Sequence, residues 1–271
     1  MDKGNTVRAK KALSQNWLVD GNLARKLVGA LELSAGTTVL EVGPGTGALT
    51  KIMLEAGANV VAIEKDAECV EFLRTQYGNN ENLTLIEGDV LDMSLAEMDL
   101  SPDCRFISNL PYAITTPILF HVMESRVSFS RLVVTMQKEV GDRLTASPGT
   151  KSYGRLTVML SVYGEVKRLF SLPPSVFRPS PAVVSVALAI DPAPDRWLSS
   201  EKWRQLSRLV KAAFSTRRKM IAKCISRELA IPAKTVRSLL TENGFDCRIR
   251  PESLTSADFV RLSTLLSSYL T

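Results

Sequence analysis

The sequence has very few metal-binding side chains. Its 271 residues include a single histidine, His121, and four cysteines, none of which forms a Cys-x-x-Cys pair. Because structural zinc sites are built from Cys and His ligands, we expect no metal site. We interpret the cysteines as reduced packing residues, which argues against a disulfide-stabilised secreted protein.

Long apolar runs are missing as well. No uninterrupted apolar stretch could span a bilayer, and residues 1–5 lack the apolar core of a signal peptide. With 45% hydrophobic and 23% charged residues, the composition is typical of a soluble globular protein. We therefore expect a cytoplasmic protein without a membrane partner.

Charge is distributed unevenly along the chain. Residues 1–30 carry a net charge of +4, residues 31–194 of −6 and residues 195–271 of +8. Basic ends around an acidic middle favour a polyanionic partner, such as a nucleic acid, over a basic helix face that is merely solvated.

Strand and helix patterns alternate along most of the chain. Strands are predicted at residues 37–42, 59–64, 83–87, 104–108 and 131–136, and later at 164–170 and 182–190. Helices are predicted at about 20–33, 48–56, 67–77, 115–124 and 138–146. This alternation predicts a Rossmann-like, doubly wound α/β domain with a mainly parallel sheet.

The pattern changes after the Pro-rich residues 191–194. Helices are predicted from there on, at about 200–214, 216–229, 232–242 and 255–269. We therefore expect two domains, an α/β domain over residues 1–194 and a small all-helical domain over residues 195–271.

A glycine-rich turn follows the first predicted strand of the α/β domain. Gly43, Gly45 and Gly47 alternate there with other residues, so that the backbone can approach a ligand closely. Glu64 ends the next strand, where a ribose-binding carboxylate is expected. This spacing fits a nicotinamide site and an S-adenosylmethionine site, and leaves a nicotinamide oxidoreductase as one alternative.

Two acidic residues favour S-adenosylmethionine. Glu41, just before the glycine turn, suits a site facing a sulfonium and an ammonium better than one facing a pyrophosphate. Asp89 follows the third strand and could accept hydrogen bonds from the cofactor's adenine.

The tetrapeptide Asn109-Leu110-Pro111-Tyr112 follows the fourth strand. The exocyclic amine of adenine is a poor nucleophile, because its lone pair is delocalised into the ring. The side-chain oxygen of Asn109 and the backbone carbonyl of Leu110 could accept its two N–H bonds and localise that lone pair. Tyr112 offers a ring on which the base could stack. Taken alone, the tetrapeptide fits a plain Pro turn equally well.

With these residues in place, the chain resembles the bacterial small-subunit (16S) ribosomal RNA adenine N6,N6-dimethyltransferases. It resembles the macrolide-resistance methyltransferases of large-subunit RNA more distantly. The similarity extends from about residue 8 to about residue 265, and its motifs lie at residues 15–18, 41–47, 64, 89, 109–112, 176–181 and 213–219. Two departures are Trp17, where the family usually has Phe, and Ala182, where it often has Lys.

The resemblance implies specific roles for these motifs. Asn16 and Leu18 belong to the motif that contacts the methionine end of the cofactor, and Gly43 belongs to the glycine loop. Phe177 is implied to stack on the target base. Asn109 is implied to serve both catalysis and cofactor binding, beside Glu64 at the ribose and Asp89 at the adenine.

The cationic side chains near both ends are interpreted as a track for RNA phosphates. They are Arg8, Lys10, Lys11, Arg217, Arg218, Lys219 and Lys223.

The implied activity is methyl transfer from S-adenosylmethionine, with S-adenosylhomocysteine as product and no metal. The implied acceptors are the N6 amines of two adjacent adenosines near the 3′ end of small-subunit ribosomal RNA. We expect an immature 30S-type subunit as partner and a monomeric enzyme. The alternatives are a non-catalytic ribosome assembly factor on the same fold, a large-subunit RNA adenine methyltransferase and a DNA adenine methyltransferase.

Overall fold

The structure is a computed structural model that describes residues 7–10, 13, 15–109, 114–193, 199–216 and 219–270. The strands are β1 (Trp17–Leu18), β2 (Thr38–Val42), β3 (Asn59–Glu64), β4 (Leu83–Glu87), β5 (Arg105–Asn109), β6 (Arg131–Gln137), β7 (Gly164–Leu172), β8 (Phe177–Arg178) and β9 (Ser185–Pro192). The helices are α1 (Gly21–Gly29), α2 (Ala48–Glu55), α3 (Ala67–Tyr77), α4 (Thr115–Glu124), α5 (Lys138–Leu144), α6 (Arg155–Tyr163), α7 (Ser200–Ala213), α8 (Ile221–Leu229), α9 (Ala233–Glu242) and α10 (Ser256–Leu265).

In the described part of the chain, seven strands form one sheet in the order β4-β3-β2-β5-β6-β9-β7. The pairings among β2 to β6 are parallel, and β9 runs antiparallel to β6. Helices connect the parallel strands, so their carboxyl ends meet at one edge, where ligands of such sheets bind. The predicted Rossmann-like α/β fold is confirmed.

The central strands are apolar because the sheet is covered on both faces. In β6 the five residues between Arg131 and Gln137 are all buried, without the alternation of a half-exposed strand. The helices beside them begin at side-chain caps. Asp20 accepts hydrogen bonds from two backbone N–H groups of α1, and Asp66 accepts one from the Glu68 N–H of α3.

A second, two-stranded sheet joins distant parts of the chain. β1 pairs antiparallel with β8, with Trp17 opposite Arg178 and Leu18 opposite Phe177. Leu18 and Phe177 are 5% and 1% exposed and belong to the hydrophobic core. The segment before α1 is thereby held beside the chain that follows β7.

The chain divides into two compact units. One comprises Met1–Gly141 and Lys167–Pro192, and the other comprises Asp142–Val166 and Ala193–Thr271. The second unit contains helices α6 to α10, and an aromatic cluster lies within it: the Phe214 ring is 5.7 Å from Phe259 and 6.4 Å from Tyr153. Across the described ranges, no helix has the length and apolar character needed to cross a membrane.

Candidate active site

A cavity that opens to solvent lies at the carboxyl edge of the parallel strands. Five of the predicted cofactor residues line it: Asn16, Gly43, Glu64, Asp89 and Asn109. Residues far apart in the sequence therefore meet there, because the turns after β2, β3, β4 and β5 all end at this edge.

The backbone of the glycine turn adopts conformations that residues with a side chain rarely take. Gly43, Gly45 and Gly47 have φ angles of 71°, 56° and 81°, in the left-handed region that favours glycine. A β-carbon on Gly45 would lie 2.9 Å from the Trp17 ring, whereas one on Gly43 would meet no atom within 4 Å. The space beside Gly43 is therefore open to the cavity, and a ligand there could contact the backbone directly.

Glu64 is held rigidly at the end of β3. Its Oε2 accepts a hydrogen bond from the Gly45 N–H at 2.9 Å, and its Oε1 accepts one from the Asp66 N–H at 2.9 Å. Burial raises the pKa of Glu64, and the backbone N–H groups of Asp66, Gly45 and Lys65 oppose that rise. A carboxylate has more acceptor positions than these bonds use, so ribose hydroxyls could still donate to it.

Asp89 already has a cationic partner. Its Oδ2 accepts a hydrogen bond from Lys65 Nζ at 2.6 Å, and its Oδ1 accepts one from the Leu91 N–H at 3.0 Å. Lys65 first, and then Leu91, hold the pKa of Asp89 below its ordinary value, so the group is an ionised acceptor at neutral pH. Lys65 also lines the cavity, and sequence reasoning missed it.

The side chain of Asn109 is oriented by two neighbours. Its Nδ2 donates to the backbone carbonyl of Asn16 at 2.9 Å, and its Oδ1 accepts a hydrogen bond from the Thr135 hydroxyl. Because a carbonyl can only accept a hydrogen bond, the Asn16 carbonyl must face Nδ2, and Oδ1 of Asn109 points the other way. Thr135 lies opposite Asn109 in the β5–β6 pairing and is 2% exposed. One acceptor position of Oδ1 remains for a substrate N–H.

Glu41 does not occupy the place that the sequence suggested. It is 1% exposed, lies outside the described lining of the cavity and accepts a 2.6 Å hydrogen bond from Thr50. Burial raises the pKa of Glu41 to about 8, with Glu64 adding to the rise and Thr50 opposing it. The interpretation of Glu41 as a charge facing the cofactor is therefore wrong for this structure, since α2 covers the carboxyl group.

Of the remaining predicted residues, two are not described and two are absent from the described lining of the cavity. Leu110 and Tyr112 lie outside the described residues, so their roles stay predictions. Leu18 and Phe177 pack in the hydrophobic core and are not among the described lining residues. Phe177 would have to become exposed before it could stack on a base, and its role also stays a prediction.

The described residues contain no group of three or more His, Cys, Asp or Glu side chains that could hold a metal ion. The donors and acceptors around the cavity instead match a nucleoside. Carboxylates lie where hydroxyl and amino groups could donate, and glycines allow the backbone to come close.

Sequence comparison identifies relatives over nearly the whole chain. The model of one family, described as "Ribosomal RNA adenine dimethylase", matches residues 6–266. A protein named "Ribosomal RNA small subunit methyltransferase A" from Geobacter sulfurreducens is 38% identical, with 96% of each chain covered. One of the same name from Thermosynechococcus vestitus is 40% identical, with 96% of this chain and 97% of its own covered.

Solved structures share the fold. A dimethyladenosine transferase from Plasmodium falciparum superimposes with a TM-score of 0.77 at 24% identity, covering 93% of this chain and 98% of its own. The 23S rRNA methyltransferase ErmE gives a TM-score of 0.66 at 23% identity, covering 93% and 99%.

Proposed function

The chain belongs to the ribosomal RNA adenine dimethylase family, and from this premise we propose that it dimethylates two adjacent adenosines near the 3′ end of small-subunit ribosomal RNA. The methyl donor is S-adenosylmethionine, which when bound supplies a methyl group activated by its sulfonium. The observation that supports this most strongly is the position of Asn109, on the same cavity as Glu64 and Asp89.

Each of the cavity residues binds a different part of the cofactor. Asp89 accepts a hydrogen bond from the amine of the cofactor's adenine, in competition with Lys65. Glu64 accepts hydrogen bonds from the ribose hydroxyls. Gly43 and Asn16 face the methionine end. Each of these groups has a fixed geometry before any ligand binds, which lowers the entropic cost of binding.

Asn109 acts on the methyl acceptor. Its Oδ1 accepts one N–H of the adenine amine, and the carbonyl of Leu110 accepts the other. These two acceptors favour a localised lone pair on the nitrogen. A strong base is unnecessary because the methyl group is already activated, so the protein contributes mainly by alignment and by excluding water.

The target adenine has to leave its stack to reach this cavity. In our proposal Tyr112 and Phe177 sandwich the flipped base. The catalytic domain spans residues 1–194, and the helical domain of residues 195–271 binds RNA through its cations. The enzyme works as a monomer in the cytoplasm, on immature small subunits.

A tritiated-methyl transfer assay tests this function. Immature small subunits, large subunits and naked DNA are compared as acceptors, and the labelled nucleosides are then identified. We expect N6,N6-dimethyladenosine in small-subunit RNA only. Labelling of large-subunit RNA or DNA would support one of the alternative methyltransferases. Absence of transfer to every acceptor, despite measurable cofactor binding, would support an assembly factor without catalytic activity.

A further inference from the structure

Asp66 connects the N-terminal segment to the turn between β3 and α3. Its Oδ1 accepts a hydrogen bond from Lys10 Nζ at 2.7 Å, and its Oδ2 accepts one from Gln15 Nε2 at 2.8 Å. The backbone N–H of Lys10 donates to Gln15 Oε1 at 2.7 Å, which links the two donors to each other. The three residues thus close a ring of hydrogen bonds, here called the anchor.

The residues next to the anchor belong to the active site. Gln15, Asn16 and Trp17 line the cavity, and the carbonyl of Asn16 orients Asn109. The Trp17 ring packs against Gly45 so closely that a β-carbon there would be 2.9 Å away. The far end of this short segment is held by the β1–β8 pairing. The anchor therefore fixes its near end.

Burial makes Asp66 depend on these partners. The residue is 2% exposed, and its side chain has no exposed surface. Burial alone raises the pKa of Asp66, but the bonds from Lys10, from Gln15 and from the Glu68 N–H together outweigh it and lower the pKa. A carboxylate so poorly solvated is costly when unpartnered, so it favours the conformation in which Lys10 and Gln15 bind it.

We propose that Asp66 is a positioning residue for the cofactor, which it influences through Lys10 and Gln15 without lining the cavity. The inference rests on the proposed function, because it assumes that S-adenosylmethionine occupies this cavity. When the anchor is broken, residues 15–17 lose their fixed position, and the protein binds the cofactor more weakly.

The test measures binding of S-adenosylhomocysteine by calorimetry without RNA, in the full chain. Lys10→Met removes the cation, together with its 2.9 Å ion pair with Glu68 of α3. Asp66→Asn removes the charge of Asp66 while keeping a good helix cap. We expect each to weaken binding about tenfold, as for loss of one charged hydrogen bond. The double variant should be little weaker than Asp66→Asn, because both changes break the same anchor.

Arg74→Met is the matched control. Arg74 lies at the other end of α3, where its Nη2 is 3.8 Å from Glu87 Oε2, so the change removes the same charge as Lys10→Met at an ion pair outside the anchor. Its affinity should stay within twofold of the wild type. In methyl transfer, Asp66→Asn should raise the KM for the cofactor by a larger factor than it lowers kcat at saturating cofactor, whereas a general loss of folded protein would lower kcat alone.

The outcomes separate the anchor from the proposed function. If the wild type binds S-adenosylhomocysteine and both Lys10→Met and Asp66→Asn bind it with the same affinity, the positioning role of Asp66 is overturned. A wild-type protein that binds no S-adenosylhomocysteine overturns the cofactor assignment instead. If Asp66→Asn fails to fold by circular dichroism, Lys10→Met, which replaces a half-buried residue, decides by itself.

Discussion

The cavity of the α/β unit and the cationic helices of the second unit present their polar groups in opposite ways. Glu64, Asp89 and Asn109 are each held by hydrogen bonds from the protein before a ligand arrives. Lys223 and Arg237, in α8 and α9, are exposed side chains on helix surfaces. The first arrangement suits one small molecule in one orientation. The second suits a flexible polyanion, whose binding depends on the salt concentration.

The most severe test of this contrast is Asn109→Ala. We expect methyl transfer to fall by roughly a thousandfold, at the upper end of the loss seen when a preorganised catalytic hydrogen-bonding group is removed from other enzymes. The affinity for S-adenosylhomocysteine should fall much less, because Glu64 and Asp89 remain. Single-turnover transfer and calorimetry measure the two quantities.

Asn59→Ala is the matched control for that change. Asn59 is an exposed residue at the amino end of β3, opposite the end at which the cavity lies. Its variant should transfer methyl groups at the wild-type rate. Full activity of Asn109→Ala would contradict the role of the amide in catalysis.

The second unit is tested by the double change Lys219→Glu and Lys223→Glu. We expect RNA affinity at low salt to fall by roughly a hundredfold. The slope of log affinity against log salt should become shallower by about 1.4, or ~0.7 for each phosphate that the protein no longer neutralises. Cofactor affinity should not change. Filter binding over a salt series measures the slope.

Lys51→Glu provides the control for added negative charge, because Lys51 is an exposed residue of the acidic middle of the sequence, paired with Glu55. If it weakens RNA binding as much as the double change does, the helices are not the specific contact.

The orientation of the Asn109 amide is tested at Thr135. Thr135→Val keeps the shape but removes the hydroxyl that donates to Asn109 Oδ1. We expect kcat to fall about tenfold, the equivalent of roughly 1.4 kcal/mol, with little change in the KM for the cofactor. Thr135→Ser should restore most of the activity. Equal losses in the Val and Ser variants would mean that packing, not the hydrogen bond, is what matters.

A last expected effect concerns the pH dependence of stability at Glu41. The pKa of Glu41 is about 8 in the folded protein and ordinarily 4.5, so between these pH values the folded state holds a proton that the unfolded state has lost. The free energy of unfolding should therefore fall as pH rises through this range, by up to ~1.4 kcal/mol per pH unit.

Glu41→Gln removes this titration and retains an acceptor for Thr50. The difference in Tm between Glu41→Gln and the wild type should grow from about pH 5 to about pH 8. A constant difference would mean that Glu41 is ionised in the folded protein.

Much of the fold could be predicted, because the buried parallel strands have a strong apolar pattern and are separated by glycines. The expected strands at residues 59–64 and 83–87, and the helices at 67–77 and 115–124, have the bounds seen in the structure. Helix α6 was not predicted. Its sequence, Arg155–Tyr163, is apolar on most sides, so it lacks the amphipathic period that identifies a surface helix.

The sequence indicated which residues meet at the cavity where each of them lies at the end of a recognisable strand, as Gly43, Glu64 and Asp89 do. Their roles toward a ligand stay predictions. Lys65 and Thr135 were not indicated, because their contributions depend on contacts with distant partners, Asp89 and Asn109. Glu41 was misinterpreted because the sequence does not show that α2 buries it.

A structure with sinefungin, which carries an amine in place of the transferable methyl group, tests the central claim most directly. We predict the ligand's adenine beside Asp89, its ribose hydroxyls on Glu64 and its amine directed toward Asn109 Oδ1. A ligand bound in this cavity with its amine pointing away from Asn109, or bound elsewhere on the protein, would contradict the account.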